Sequence, residues 1–206
     1  MAQIGRQKSV GQGENPNNIN KTHNATQQIR RLYNVKDHLL GSGAFGKVYL
    51  AESKIDSATK FAVKVIPMKQ LSGTLKEMMH DELKILYKLD HPFICQYIES
   101  FEDEKYIYIV MEYCPGKVLM SRLEEQGTFT EYDAAKAIYK IMEGLNHIHN
   151  VSVVHRDLKP ENIIIDDNGD PKIIDFGLSK DTNNGVKQLK SIVGSKLYMA
   201  PEILLG

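Results

Sequence analysis

The sequence predicts an α+β protein of two lobes: a small, mostly antiparallel sheet carrying one helix, followed by a mainly helical lobe. Three observations lead there. Five short runs at 35–40, 48–51, 61–66, 97–101 and 106–111, separated by Gly, Ser, Asp and Glu clusters, read as strands. One helical pattern falls between the third run and the fourth. After Pro115-Gly116 the apolar period lengthens to that of a helix, with Ala134, Ile138, Ile141, Leu145 and Ile148 on one stripe.

Residues 1–30 are rich in Asn, Gln, Gly and Ser and poor in large apolar side chains. Such a segment cannot bury enough surface to offset its ordering entropy, so it is expected to be a disordered tail. The globular pattern begins at Tyr33, with 33–113 as the first lobe and 114–206 as the second.

The first two strands bracket Gly41-Ser42-Gly43-Ala44-Phe45-Gly46. Glycines let the backbone approach phosphate oxygens without side-chain collision and leave N–H groups free to donate. Alone, the pattern also fits a dinucleotide-binding turn or a plain glycine hairpin. In a dinucleotide fold a helix opens at the last glycine, whereas here Val48-Tyr49-Leu50-Ala51 continues as a strand.

The third strand sets Ala62, Lys64 and Ile66 on one face and Phe61, Val63 and Val65 on the other. An ammonium among apolar neighbours is costly unless paired. On the following helix Leu75, Met78, Glu82, Ile85 and Leu89 form the inward stripe, while Glu77, Asp81, Lys84 and Lys88 form the solvated one. Glu82 is therefore the expected partner of Lys64, and Glu77 is set aside as a surface charge.

In the second lobe Thr130 with Asp133 marks a capped start for the long core helix. Asn168-Gly169, between Ile163-Ile164-Ile165 and Lys172-Ile173-Ile174, predicts a hairpin with a two-residue turn. The acidic run at 166–170 lacks the ligand spacing and closing Glu of a calcium loop, so the turn is preferred.

The chemistry-bearing stretch is His155-Arg156-Asp157-Leu158-Lys159-Pro160-Glu161-Asn162, followed by Asp175-Phe176-Gly177. It places a candidate base (Asp157), a cation (Lys159), a carboxamide metal ligand (Asn162) and a metal-binding carboxylate (Asp175) on two short segments. That is the equipment for moving a phosphoryl group.

On these motifs, in this order, the chain resembles a eukaryotic-type serine/threonine protein kinase, from the glycine-rich segment to Ala200-Pro201-Glu202. The resemblance implies a two-lobed kinase fold, ATP and Mg2+ as cofactors, and a protein substrate presenting a Ser or Thr hydroxyl. It implies a nucleotide pocket of Leu40, Gly41, Gly43, Gly46, Val48, Ala62, Lys64, Met111, Glu112 and Cys114. Backbone groups of Glu112 and Cys114 would bond adenine, Met111 would lie at the back, and Val48 and Ala62 would pack on the ring faces. Lys64, oriented by Glu82, would meet the α- and β-phosphates, and Asn162 and Asp175 would hold magnesium. Asp157 would orient the substrate hydroxyl and accept its proton, Lys159 would reach the γ-phosphate, and the Ser195 hydroxyl would bond the base. One departure is Val118, which stands where many family members carry a Glu that contacts the ribose.

Arg156 is a cation that could dock a phosphorylated loop residue, for which Ser191 has the best offset; an unmodified Ser191 beside Lys187 and Lys190 is an equal reading. The runs Asp175-Phe176-Gly177-Leu178-Ser179-Lys180 and Tyr198-Met199-Ala200-Pro201-Glu202 resemble the calcium- and calmodulin-linked branch, which implies a calcium-linked regulator or an upstream kinase as a partner. The family pattern continues beyond Glu202, so the C-terminal part of the domain is expected to be missing. The alternative is an ATP-binding regulatory or pseudokinase-like fragment without turnover.

Composition narrows the partners. Lys plus Arg and Asp plus Glu are equal at 26 each, so no overall field draws the chain to nucleic acid or to an anionic membrane. No apolar run is long enough to span a bilayer, and Ala2 stands where a myristoylation signal requires glycine. Cys95 and Cys114 lack a CxxC pairing, which fits thiols of a reducing compartment. The expected location is the cytoplasm, with the nucleus left open.

Overall fold

The computed structural model describes residues 20–21, 24–43, 46–71, 73–183 and 193–205. Its first lobe is built on a six-stranded sheet in the order β1-β5-β6-β4-β3-β2. These strands are β1 (Asn20–Lys21), β2 (Tyr33–Gly43), β3 (Gly46–Ser53), β4 (Lys60–Pro67), β5 (Tyr97–Glu102) and β6 (Tyr106–Glu112). All neighbours are antiparallel except β1, which runs parallel to β5.

Two helices cover this sheet, one on each face. Helix α1 (Ala25–Leu32) is capped by Asn24, whose Oδ1 accepts from the Gln27 N–H at 2.8 Å. It buries Ala25 and Ile29 with Tyr33, Val63, Phe101, Tyr108 and Val110. Helix α2 (Gly73–Lys88) buries Met79, Leu83 and Leu86 with Ile66, Ile107 and Ile109 of the other face. Alternation along β4 produces both cores, because successive residues point to opposite sides.

Three expectations are corrected here. The tail was expected to be disordered through residue 30 and the sheet to carry one helix, but 24–32 form a capped helix whose apolar residues seal the outer face. Most of that tail, 1–19, lies outside the described residues. The inward stripe of α2 is also shifted: Met78 is 42 % exposed, while Met79 and Leu83 are buried. Glu82 and Ile85 remain inside in either register.

The second lobe contains β7 (Lys117–Val118), α3 (Leu119–Gln126), α4 (Glu131–Asn150), β8 (Val153–Val154), β9 (Ile163–Ile165), β10 (Pro171–Ile173), β11 (Lys180–Asp181) and α5 (Pro201–Leu205). Thr130 caps α4, its hydroxyl accepting from the Asp133 N–H at 3.1 Å. The helix buries Ala137, Ile141, Gly144 and Ile148; Ile138, expected inside, is exposed. Gly144 lets the helix pack closely, since an added Cβ would come within 3.1 Å of the Ile173 side chain, which would have to give by a few tenths of an ångström.

The hairpin of β9 and β10 forms with Ile165 opposite Pro171. Its loop is longer than the two residues expected, spanning 166–170. Asp166 organises it by accepting from the N–H groups of Asn168 and Asp170, and Gly169 takes φ +79°. The lobes are stitched where Ile94 bridges to Ile173, with Cys95 N–H donating to the Ile173 carbonyl at 2.9 Å. Among the described residues no helix is long and apolar enough to cross a membrane.

Candidate active site

The glycine-rich segment forms the tip of the β2–β3 hairpin, with Gly41 opposite Val48 and Gly43 opposite Gly46; Ala44 and Phe45 lie outside the described residues. The glycines serve two ends. Gly46 lies under β4, where an added Cβ would meet the Val65 carbonyl oxygen at 2.3 Å. Gly41 and Gly43 instead face open space, as a backbone surface for a ligand requires.

Pairing across the sheet then aligns the remaining first-lobe residues. Val48 lies opposite Lys64, and Ala62 opposite Met111. Cross-strand partners share a face, so Val48, Ala62, Lys64 and Met111 stand on the same side. On that side Lys64 Nζ donates to Glu82 Oε1 at 2.9 Å. Leu40 is partly exposed on β2.

At the lobe connector the Glu112 N–H donates to the Gln96 carbonyl at 2.8 Å, and the Glu112 carboxylate is held 2.8 Å from Lys172 Nζ. The thiols of Cys95 and Cys114 both point to the Glu112 carbonyl, at 3.6 and 3.9 Å. Cys95 is held well above the usual thiol range by its contact with Cys114 and by burial.

The second lobe supplies a knot of polar groups around Asp157. Lys159 Nζ lies 2.9 Å from Asp157 Oδ2, and the Ser195 N–H donates to Oδ1 at 2.8 Å. Asn162 Nδ2 donates to the Asp157 carbonyl at 2.9 Å and to Oδ2 at 3.1 Å. Lys159 also donates to Ser195 Oγ at 2.7 Å. Burial pushes the Asp157 carboxyl up, but the hydrogen bonds from Lys159 and Ser195 outweigh it and hold the group below its ordinary value. The same hydrogen bond raises Lys159, so both members stay charged.

Ser195 thus reaches Asp157 through its backbone N–H and its hydroxyl, and the hydroxyl also accepts from Lys159. The close approach depends on Gly194, at φ +112°, where an added Cβ would sit 2.4 Å from the Arg156 carbonyl oxygen.

Asp175 lies near this knot, its charge acting on Lys159. It and Arg156 adopt φ of +60° and +66°, left-handed conformations that non-glycine residues hold only under surrounding constraint. For Asp175 the constraint is the buried Phe176, packed edge-on to His155 with ring centroids 4.8 Å apart. Phe176 belongs to the same apolar core as Ile66, two residues after Lys64, and Leu83, next to Glu82. The Asp175 charge acts on both His155 and Lys159.

His155 Nε2 lies 3.2 Å from the Ile174 carbonyl, and Nδ1 accepts from the Asp157 N–H at 3.3 Å. Those partners select the neutral Nε2–H tautomer, and burial lowers the imidazole below its ordinary value.

The oxygens of Asn162 and Asp175 suit a hard cation. Asn162 is buried with its amide nitrogen committed to Asp157, and its Oδ1 receives no hydrogen bond among the described residues. Asp175 is exposed, and its carboxylate accepts a long 3.3 Å bond from the Gly177 N–H. Two such oxygens, completed by phosphate and water, match what magnesium prefers.

Arg156 Nε donates to the Leu178 carbonyl at 2.6 Å, and Thr182 Oγ1 donates to the Ser152 carbonyl at 2.9 Å. Ser191 lies outside the described residues. Sequence reasoning missed Lys172 as an anchor for Glu112 and the Ser195 N–H as a donor to Asp157; neither leaves a local signal, because partners 60 and 38 residues apart meet only in the fold.

This chain belongs to the protein kinase domain family, whose model matches residues 33–206. It is 42 % identical over 182 residues to calcium/calmodulin-dependent protein kinase type 1 of Caenorhabditis briggsae, covering 87 % of this chain and 50 % of that protein. The Caenorhabditis elegans protein of the same name is likewise 42 % identical over 184 residues, covering 88 % and 51 %. Calcium-dependent protein kinase 5 of Plasmodium berghei is 38 % identical over 182 residues, covering 86 % and 32 %. The chain spans about half the length, or less, of the curated relatives it matches.

Proposed function

We propose that this chain is the catalytic portion of an ATP-dependent serine/threonine protein kinase, moving the γ-phosphate of ATP to a Ser or Thr hydroxyl of a protein. The observation that carries the reading is the Asp157 knot. An ionised carboxylate is fixed beside Lys159, with Asn162 bonded to it and the Asp175 charge acting on the same lysine.

Phosphoryl transfer through a loose transition state needs positioning and charge neutralisation above all. Bound magnesium-ATP supplies the phosphorus to be attacked and a metal that spreads the phosphate charge. Asp157 orients the attacking hydroxyl and takes up its proton, and its depressed affinity for protons keeps it ionised for that task. Lys159 neutralises charge at the transferred group, and Asn162 and Asp175 present oxygens to the metal. Lys64, steered by Glu82, meets the inner phosphates; Gly41, Gly43 and Gly46 form the roof over them. Leu40, Val48, Ala62, Met111, Glu112 and Cys114 enclose the base.

The calcium-linked names of the relatives support a calcium-linked regulator or an upstream kinase as a partner. Free thiols at Cys95 and Cys114 suit a reducing compartment, the cytoplasm or nucleus.

Transfer of labelled phosphate from ATP to a generic basic protein tests the reading, with Asp157→Ala and Lys64→Met as controls. Incorporation well above both controls is expected. Incorporation no higher than the controls, with magnesium-ATP still raising the melting temperature, would overturn turnover and leave a nucleotide-binding regulator.

A further inference from the structure

The face of the sheet under α2 carries a second charged residue besides Lys64. Lys64 and Ile66 of β4 lie opposite Ile109 and Ile107 of β6, which lie opposite Ser100 and Glu102 of β5. Lys64 and Glu102 are therefore diagonal corners of one patch whose centre is isoleucine. Glu102 is only 5 % exposed, and a buried carboxylate demands partners.

Both partners come from α2. Lys76 Nζ lies 3.0 Å from Glu102 Oε1, and His80 Nε2 lies 3.0 Å from Oε2. Four residues apart, they are neighbours on one helix face, toward the N-terminal end from Glu82. The two ion clusters have opposite polarity: the sheet offers a cation at one corner and an anion at the other, and the helix answers each. Met79, Leu83 and Leu86 fill the space between and allow sliding, since apolar packing is not directional. Burial pushes the Glu102 carboxyl up, but Lys76 and His80 more than reverse it, so the charge persists.

We propose that Glu102 is a positioning residue which, through Lys76 and His80, fixes the rotation and axial setting of α2 so that Glu82 reaches Lys64. The consequence for catalysis rests on the kinase reading above; the mechanical role does not.

The test is Glu102→Gln, nearly identical in shape but uncharged, followed by amide hydrogen exchange and peptide phosphorylation. Exchange across α2 is expected to quicken about tenfold while α4 is unchanged, and kcat to fall about tenfold with the peptide KM unmoved. In a Glu82→Gln background the added substitution should change kcat by less than about twofold, since both act through one contact. Unchanged α2 exchange in folded Glu102→Gln, or losses that multiply in the double variant, would overturn the proposal. If Glu102→Gln fails to fold, Lys76→Gln takes its place, its side chain being 38 % exposed. It should loosen α2 selectively, and unaltered exchange there counts against Glu102 equally. Should the parent chain transfer no phosphate, the exchange result still decides the role of Glu102, and only the kinase reading fails.

Discussion

Lys64 and Glu82 meet at 2.9 Å with side chains only 12 % and 5 % exposed, so each is the principal means by which the other tolerates burial. Removing either partner strands a charge, whereas removing both leaves a site that apolar side chains can fill. Glu82→Ala is predicted to lower stability by about 3 kcal/mol in urea unfolding. Lys64→Met with Glu82→Leu should regain most of that stability yet transfer no phosphate above background. Recovery of activity in the double variant would show that the pair is only structural.

The glycines of the β2–β3 tip separate into two kinds. Gly46→Ala forces a Cβ against the Val65 carbonyl and should destabilise the first lobe by about 2 kcal/mol. Gly43→Ala meets no atom and should leave the melting temperature of the ligand-free chain unchanged while weakening magnesium-ATP binding in calorimetry. Equal effects on stability would refute the distinction.

His155 gives the fold an acid sensitivity. The unfolded imidazole takes its proton near pH 6.5, and the buried one only at lower pH. In that window the unfolded chain binds more protons, so stability is full above about 6.5 and is lost as pH falls below it. Glu102, Asp157 and Asp181 are shifted below 4.5, 3.8 and 3.8, so their contributions are lost only in stronger acid. His155→Gln does not titrate and should shallow the slope of unfolding free energy below pH 6.5 by up to about 1.4 kcal/mol per pH unit. A slope remains from His91, which burial also lowers.

Helix α1 yields the fourth prediction. Ile29 is buried against the outer face of the sheet, and Ile29→Ala should lower stability by about 3 kcal/mol in denaturant unfolding. No change would mean that the helix is not docked in solution.

Much of this was legible in the residues. The five runs became β2 to β6, and strict alternation along 61–66 separated the two faces of the sheet and put Lys64 beside Glu82. Glu82 survived a misplaced helical stripe because a one-residue rotation still leaves it inside. Helix α1 was hidden by composition: in Ala-Thr-Gln-Gln-Ile-Arg-Arg-Leu the core contact rests on Ala25 and Ile29 alone. Its signals were local, an Asn24 cap with Gln27 three residues on and arginines in the last turn. The turn at 166–170 grew because Asp166 folds back on its own backbone, which a dipeptide signal does not capture. Glu102 could not be paired from sequence, since its partners Lys76 and His80 lie 26 and 22 residues away on another element.

The family match begins at Tyr33, after the last residue of α1. A polypeptide trimmed to that border would lose the cover over Val63, Phe101 and Val110 and present a greasy β-surface to its neighbours. Clumping of such a shortened product would then report a boundary drawn in the wrong place, and would say nothing about the soundness of the catalytic apparatus.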